Sequence, residues 1–217
     1  MKKLFAALST LALLFTTSLF AQAEEPETLF GNGDIEFGGY GGPEVKFTNF
    51  NNDFGVLVGG RAGIIVNSVF TVGVGGYGLV TSHPVDDYYV SPNIWDRTSD
   101  TNAYLRMGYG GLHLGFIVEP NKIVHITAGV LIGAGGAMYT SAYMHNVGEF
   151  DDHLKTFERS AFFIAEPQIG AELNLLKFMR MEVSASYRFI SGLQLPNTEN
   201  KDLSGFSGNV MFKFGKF

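Results

Sequence analysis

Residues 178–191 alternate without a break. Met179, Met181, Val183, Ala185, Tyr187 and Phe189 fall on one face of an extended chain, and Arg180, Glu182, Ser184, Ser186 and Arg188 on the other. Period two with charges on the second face means that one side meets something apolar and the other something polar. Residues 160–174 repeat the pattern, with Phe163, Ala165, Pro167, Ile169, Ala171 and Leu173 against Glu166, Gln168, Gly170 and Glu172. Residues 205–217 set Val210, Phe212 and Phe214 against Asn209, Met211 and Lys213. Similar stretches at 34–49, 54–66, 69–81, 103–119, 123–140 and the three above predict eight strands, each longer than the usual soluble strand.

Two folds accommodate this pattern. In a secreted sandwich the apolar face is the core; in a transmembrane barrel it meets lipid and the polar face lines a small interior. The connections favour the barrel. Those after the second, fourth and sixth strands are short (Asn67-Ser68, Pro120-Asn121-Lys122, Leu175-Leu176-Lys177), whereas 82–102, 141–159 and 192–204 are long. The reading is therefore all-β: an eight-stranded antiparallel up-and-down transmembrane β-barrel over 34–217. A spanning helix over Val124–Met138 is too short and carries Gly129, Gly133, Gly135 and Gly136.

The N-terminus fits an exported chain. Lys2-Lys3, an apolar run to Phe20 and Ala21-Gln22-Ala23 form a signal peptide over 1–23, leaving a short periplasmic segment over 24–33. Glycine pairs recur inside the strands, where a narrow barrel must bend. In the fourth strand the apolar series Leu105, Met107, Tyr109 changes parity to Leu112, Leu114, Phe116, which predicts a bulge at Gly110-Gly111 with the whole series facing lipid. Gly73-x-Gly75-x-x-Gly78 matches a dinucleotide fingerprint but lacks the helix and acidic residue that the chemistry needs.

With no Cys there is no disulfide, thiol nucleophile or Cys-based zinc site, and a net charge of −6 argues against nucleic acid as partner. The interior face collects Glu36, Glu44, Lys46, Arg61, Arg106, Glu166, Glu172, Arg180, Glu182, Arg188 and Lys213. Charges in so confined a space must pair, so they are read as a structural polar plug, with an ion path as the alternative. A turn at 175–177 would set Glu172 directly opposite Arg180.

The loops are acidic (Asp86, Asp87, Asp96, Asp100, Glu149, Asp151, Asp152, Glu158) and carry Tyr88, Tyr89, Trp95, Tyr143 and Phe150, either a recognition surface or part of an aromatic girdle. His145, Asp151 and His153 fit no standard metal spacing. No catalytic, cofactor or metal residues are assigned.

The architecture resembles the small eight-stranded outer-membrane barrels of the OmpA-transmembrane, OmpX and OmpW type, over 34–217. The last strand is similar to the β-signal that such proteins present to the barrel assembly machinery, with Val210, Phe212, Phe214 and the terminal Phe217 as its residues. Phe217 departs in parity, so either Phe214 closes the signal and Gly215 breaks the strand, or the signal is a variant. The resemblance implies an outer-membrane location, outer-membrane lipid and lipopolysaccharide as surroundings, and an extracellular ligand met through the loops. Some such barrels modify lipid A, and the deacylase type needs His-x-Ser, which none of the five histidines supplies. The expected role is non-catalytic and structural or interactive, with a narrow pore for small solutes and a lipid-modifying enzyme as alternatives.

Overall fold

The computed structural model describes residues 35–50, 53–90, 101–140 and 156–217. The expected signal peptide, the periplasmic segment and most of the acidic loop residues lie outside these. The strands are β1 (Phe37–Phe50), β2 (Asp53–Val66), β3 (Phe70–Leu79), β4 (His83–Val90), β5 (Thr101–Val118), β6 (Val124–Thr140), β7 (Thr156–Leu176), β8 (Met179–Ser191) and β9 (Gly205–Lys216), with one turn of helix, α1 (Asn200–Leu203), before β9. All pairings are antiparallel. The order β3-β2-β1-β9-β8-β7-β6-β5 closes through a β3–β5 ladder, giving an eight-stranded barrel. Closure leaves the eight strands of the ring without an edge, while β4, above it, pairs with β5 alone.

The third strand corrects the sequence reading. It breaks at Val80–Ser82 and resumes as β4, which pairs with the upper end of β5, so residues expected in a long loop belong to the sheet. The dinucleotide-like glycines all lie within β3. At the short-turn end, Asn67 and Ser68 both adopt positive φ (51° and 58°). Val69 N–H donates to Val66 O at 3.1 Å, the tight turn whose twist matches a hairpin.

Exposed aromatics form two belts on the outer face. Phe178, in the turn before β8, and Phe189 on β8 are both exposed and lie eleven residues apart, about 28 Å along a tilted strand. Phe37, Phe116 and Phe214 join the belt near the short turns; Phe54, Phe163 and Phe206 join the one near the loops. Between them lie Ile64, Val72, Leu112, Ile132, Ile169 and Val183, all exposed. The band matches the thickness of a membrane's apolar layer.

Candidate functional site

The interior is layered along the barrel axis. At the end carrying the short turns, Tyr40, Ile65, Ile117 and Met211 pack together with Phe217 against them. Phe217 shares the inward parity of Met211 and Lys213, and the Arg180 guanidinium lies 4.0 Å from its ring centre. β9 continues through Gly215, which pairs with Tyr40, so the strand does not break there. Phe212 and Phe214 point outward.

Above this floor stands the charged layer. Arg61 donates from Nη2 to Glu182 at 2.8 Å and from Nε to Glu44 at 3.1 Å, and its Nη1 lies 2.7 Å from His113 Nε2. Lys213 donates to both Glu182, at 2.5 Å, and Glu172. Glu172 also meets Arg180 Nη1 and His125 Nε2, each at 2.9 Å, while Tyr77 OH donates to Glu44 at 2.6 Å. One step toward the loops, Lys46, Tyr109 and Ser186 all donate to Glu166, at 2.7, 2.9 and 2.8 Å. These carboxylates are about 1% exposed or less. Each of these carboxylates meets a cation, as desolvation requires.

The upper interior is apolar. Leu57, Leu79, Leu105, Tyr139, Phe162 and Ile190 form one cluster, and Leu193, Leu195 and Leu203 of the 192–204 segment complete it from above. Several bonds hold this segment in the mouth. Arg188 Nε donates to Leu203 O at 2.7 Å. Tyr139 OH bonds Pro196 O and Thr198 Oγ1, and Gln194 N–H donates to Ser160 Oγ at 2.7 Å. Asp202 accepts from Glu199 N–H at 2.7 Å, closing the one-turn helix on itself. On the solvent side, a hydrogen bond to Glu199 holds the Lys201 ammonium above its ordinary pKa. Beside the segment is a cavity of about 200 Å³ with Phe50, Leu105 and Leu203 on its walls and Asp53, His83 and Asp202 among its polar groups.

Most of the expected interior residues meet here: Glu44, Lys46, Arg61, Glu166, Glu172, Arg180, Glu182, Arg188 and Lys213 are all buried. Two are elsewhere. Glu36 is exposed before β1, and Arg106 lies on the outward face, since its neighbours Leu105 and Met107 are the buried ones. The bulge expected at Gly110-Gly111 is absent: β5 keeps continuous register with β3 and β6. Leu105, Met107 and Tyr109 therefore face inward, because the upper interior is itself apolar. The β7–β8 register is shifted by two, with Glu172 opposite Glu182 and Arg180 opposite Asn174. β7 runs on through Leu175 and Leu176, which face outward, with a ladder irregularity there, and the turn falls at Lys177-Phe178. Glu172 and Arg180 still touch, diagonally. Counting charges alone missed Tyr77, Tyr109, His113, His125 and Ser186; of these only Ser186 shares a strand and a parity with inward charges, Arg180, Glu182 and Arg188. Among the described residues no group of acidic or histidine side chains could hold a metal. His145, Asp151, His153, Trp95, Tyr143 and Phe150 lie outside them.

The chain matches the family described as outer membrane protein beta-barrel domain over residues 9–214. Among solved structures it is similar to Neisserial surface protein A, with a TM-score of 0.53 and 12% identity over 85% of this chain and 100% of that one. It is also similar to Ail, the attachment invasion locus protein of Yersinia pestis, at a TM-score of 0.45 with the same identity and coverage. No curated protein matches it in sequence.

Proposed function

The chain belongs to the outer membrane protein beta-barrel family, and from that premise we propose that it is a non-catalytic barrel whose work is done at its cell-surface loops. It is an outer-membrane protein; the loop end is the extracellular one, and the acidic, aromatic segments there are the interaction surface. The observation that carries this reading is the filled interior. From Phe217 through the charged layer to Leu203, buried side chains touch one another and the 192–204 segment seats in the mouth. Such an interior supports a scaffold for loops rather than a conduit. Residues 1–23 act as the export leader, and the outward Val210, Phe212 and Phe214, with Phe217, engage the assembly machinery.

A narrow pore is the second reading, and one observation favours it. Glu44 Oε1, His113 Nδ1, Asn209 Oδ1 and Ser207 Oγ are buried without a hydrogen-bond partner among the described residues, as water-bearing positions would be. Planar-bilayer recording separates the two. The scaffold reading expects no steady conductance from the intact protein. Stable unitary currents would replace it with the pore.

A further inference from the structure

Two guanidinium groups stand on the lipid-facing side of the barrel near its extracellular end. Arg106 of β5 and Arg159 of β7 are both register partners of Met138 on β6. Their backbones are thus two strand spacings apart, about 10 Å. Met138 is 39% exposed and Arg159 is exposed. Arg106 is twelve residues from Val118 at the lower end of β5, about 30 Å higher along a tilted strand, where hydrocarbon gives way to headgroups. Neither arginine forms an ion pair among the described residues, and Arg106 Nη2 is enclosed without a hydrogen-bond partner. By contrast, Lys46, Arg61, Arg180 and Lys213 each meet a carboxylate.

Below the arginines, toward the membrane centre, the sheet is bare: Gly78, Gly108, Gly136 and Ala161 form one outward row. Packing is tight only at Gly108, where a Cβ would lie 3.3 Å from Tyr77 O, and does not demand glycine at the others. A Cβ on Gly78 would meet nothing within 4 Å, and one on Gly136 nothing nearer than 3.8 Å. A shallow groove of about 390 Å³ runs from Arg159 past Met138 onto this strip.

We propose that Arg106 and Arg159 seat the phosphate of an anionic lipid in the outer leaflet, with its acyl chains lying along the bare strip. A cation at the apolar boundary is costly alone, and an anion brought by the surrounding lipid offsets it. Guanidinium forks match phosphate oxygens two at a time. Charge therefore selects the occupant: two cations without an ion pair among the described residues, above an apolar strip, fit a phosphorylated headgroup above its chains. The seat rests on the outer-membrane placement and is independent of what the loops bind.

The test uses the full chain in phosphatidylcholine vesicles doped with bisphosphorylated lipid A or with the dephosphorylated form. Retained lipid is counted by native mass spectrometry, and the unfolding midpoint is read in parallel. The phosphorylated lipid should bind and raise the midpoint. Binding should weaken about tenfold in Arg106→Gln/Arg159→Gln, as loss of charge-assisted contacts implies, and should persist in part in Arg106→Lys/Arg159→Lys. Lys122→Gln/Lys216→Gln, at the opposite end, should bind as the parent does. Free inorganic phosphate at matched concentration should not displace the lipid. Equal binding of both lipid forms, or undiminished binding by the Gln pair, overturns the seat. If the Gln pair does not fold, as judged by loss of heat-modifiable migration, Arg159→Gln alone decides, because its position is exposed. Displacement by free phosphate would show an anion site without lipid recognition, and would equally overturn the proposal.

Discussion

Glu172 and Glu182 stand directly opposite each other across the β7–β8 ladder, and the Lys213 ammonium of β9 donates to both. Lys213 in turn is the register partner of Arg180. Like charges therefore face each other along the rows, and attraction runs along the diagonals. Directly opposed like charges destabilise a sheet, so this corner depends on all its members being present.

Removing the bridging cation should be the costliest single change to the interior. Lys213→Met leaves two facing carboxylates sharing less positive charge, at a cost of about 3–5 kcal/mol. Denaturant unfolding in detergent micelles measures it. Adding Glu172→Gln to Lys213→Met should recover part of the loss; a strictly additive loss would mean the groups are not coupled.

Parity along β5 can be read chemically, since the chain has no cysteine to interfere. Met107→Cys should be shielded from a membrane-soluble maleimide, because Met107 is 5% exposed and inward. Leu112→Cys, outward and 48% exposed, should react readily. Equal labelling at both positions would restore the bulge that the register excludes.

The last strand separates assembly from stability. Phe214→Ser changes the outward face and is expected to lower outer-membrane levels of the protein. Phe217→Ala removes an inward ring from Arg180, for about 1 kcal/mol of stability. Immunoblots of outer-membrane fractions beside unfolding midpoints would tell these apart. A larger insertion defect for Phe217→Ala would make the terminal residue the one that is recognised.

The mouth segment is anchored by few residues. Leu203 is 1% exposed, and Leu203→Ala should cost about 2 kcal/mol, at the low end for a buried leucine because a short segment can relax. Proteolysis within 192–204 should accelerate while the barrel keeps its heat-modifiable migration. Unchanged cleavage would mean the seat is held by the polar contacts of Arg188 and Tyr139 alone.

Strand positions were legible because period two survives wherever one face is polar, and β8 shows this over its whole length. The inward charged set was legible for the same reason, since Glu166, Glu172, Arg180 and Glu182 share parity within their strands. Where both faces are apolar the signal vanishes. Leu105, Met107 and Tyr109 looked lipid-facing because nothing in β5 announces an apolar upper interior supplied by Leu193, Leu195 and Leu203, some ninety residues away in sequence. The β7–β8 register escaped for a local reason: Leu175 and Leu176 suit the outside of a strand as well as they suit a turn. Arg106 was placed inside by its charge, and its strand neighbours put it outside.

β9 pairs with both β8 and β1, so it is the strand that completes the ring. It also carries Lys213, and the 192–204 segment precedes it in the chain. Before β9 docks, Glu172 and Glu182 lack their shared cation and the mouth lacks its cover. Ring closure, charge neutralisation and sealing of the mouth thus fall on one stretch of chain. A barrel in which that stretch has not docked would remain open and hydrated, and would dehydrate in a single step when β9 pairs with β1 and β8.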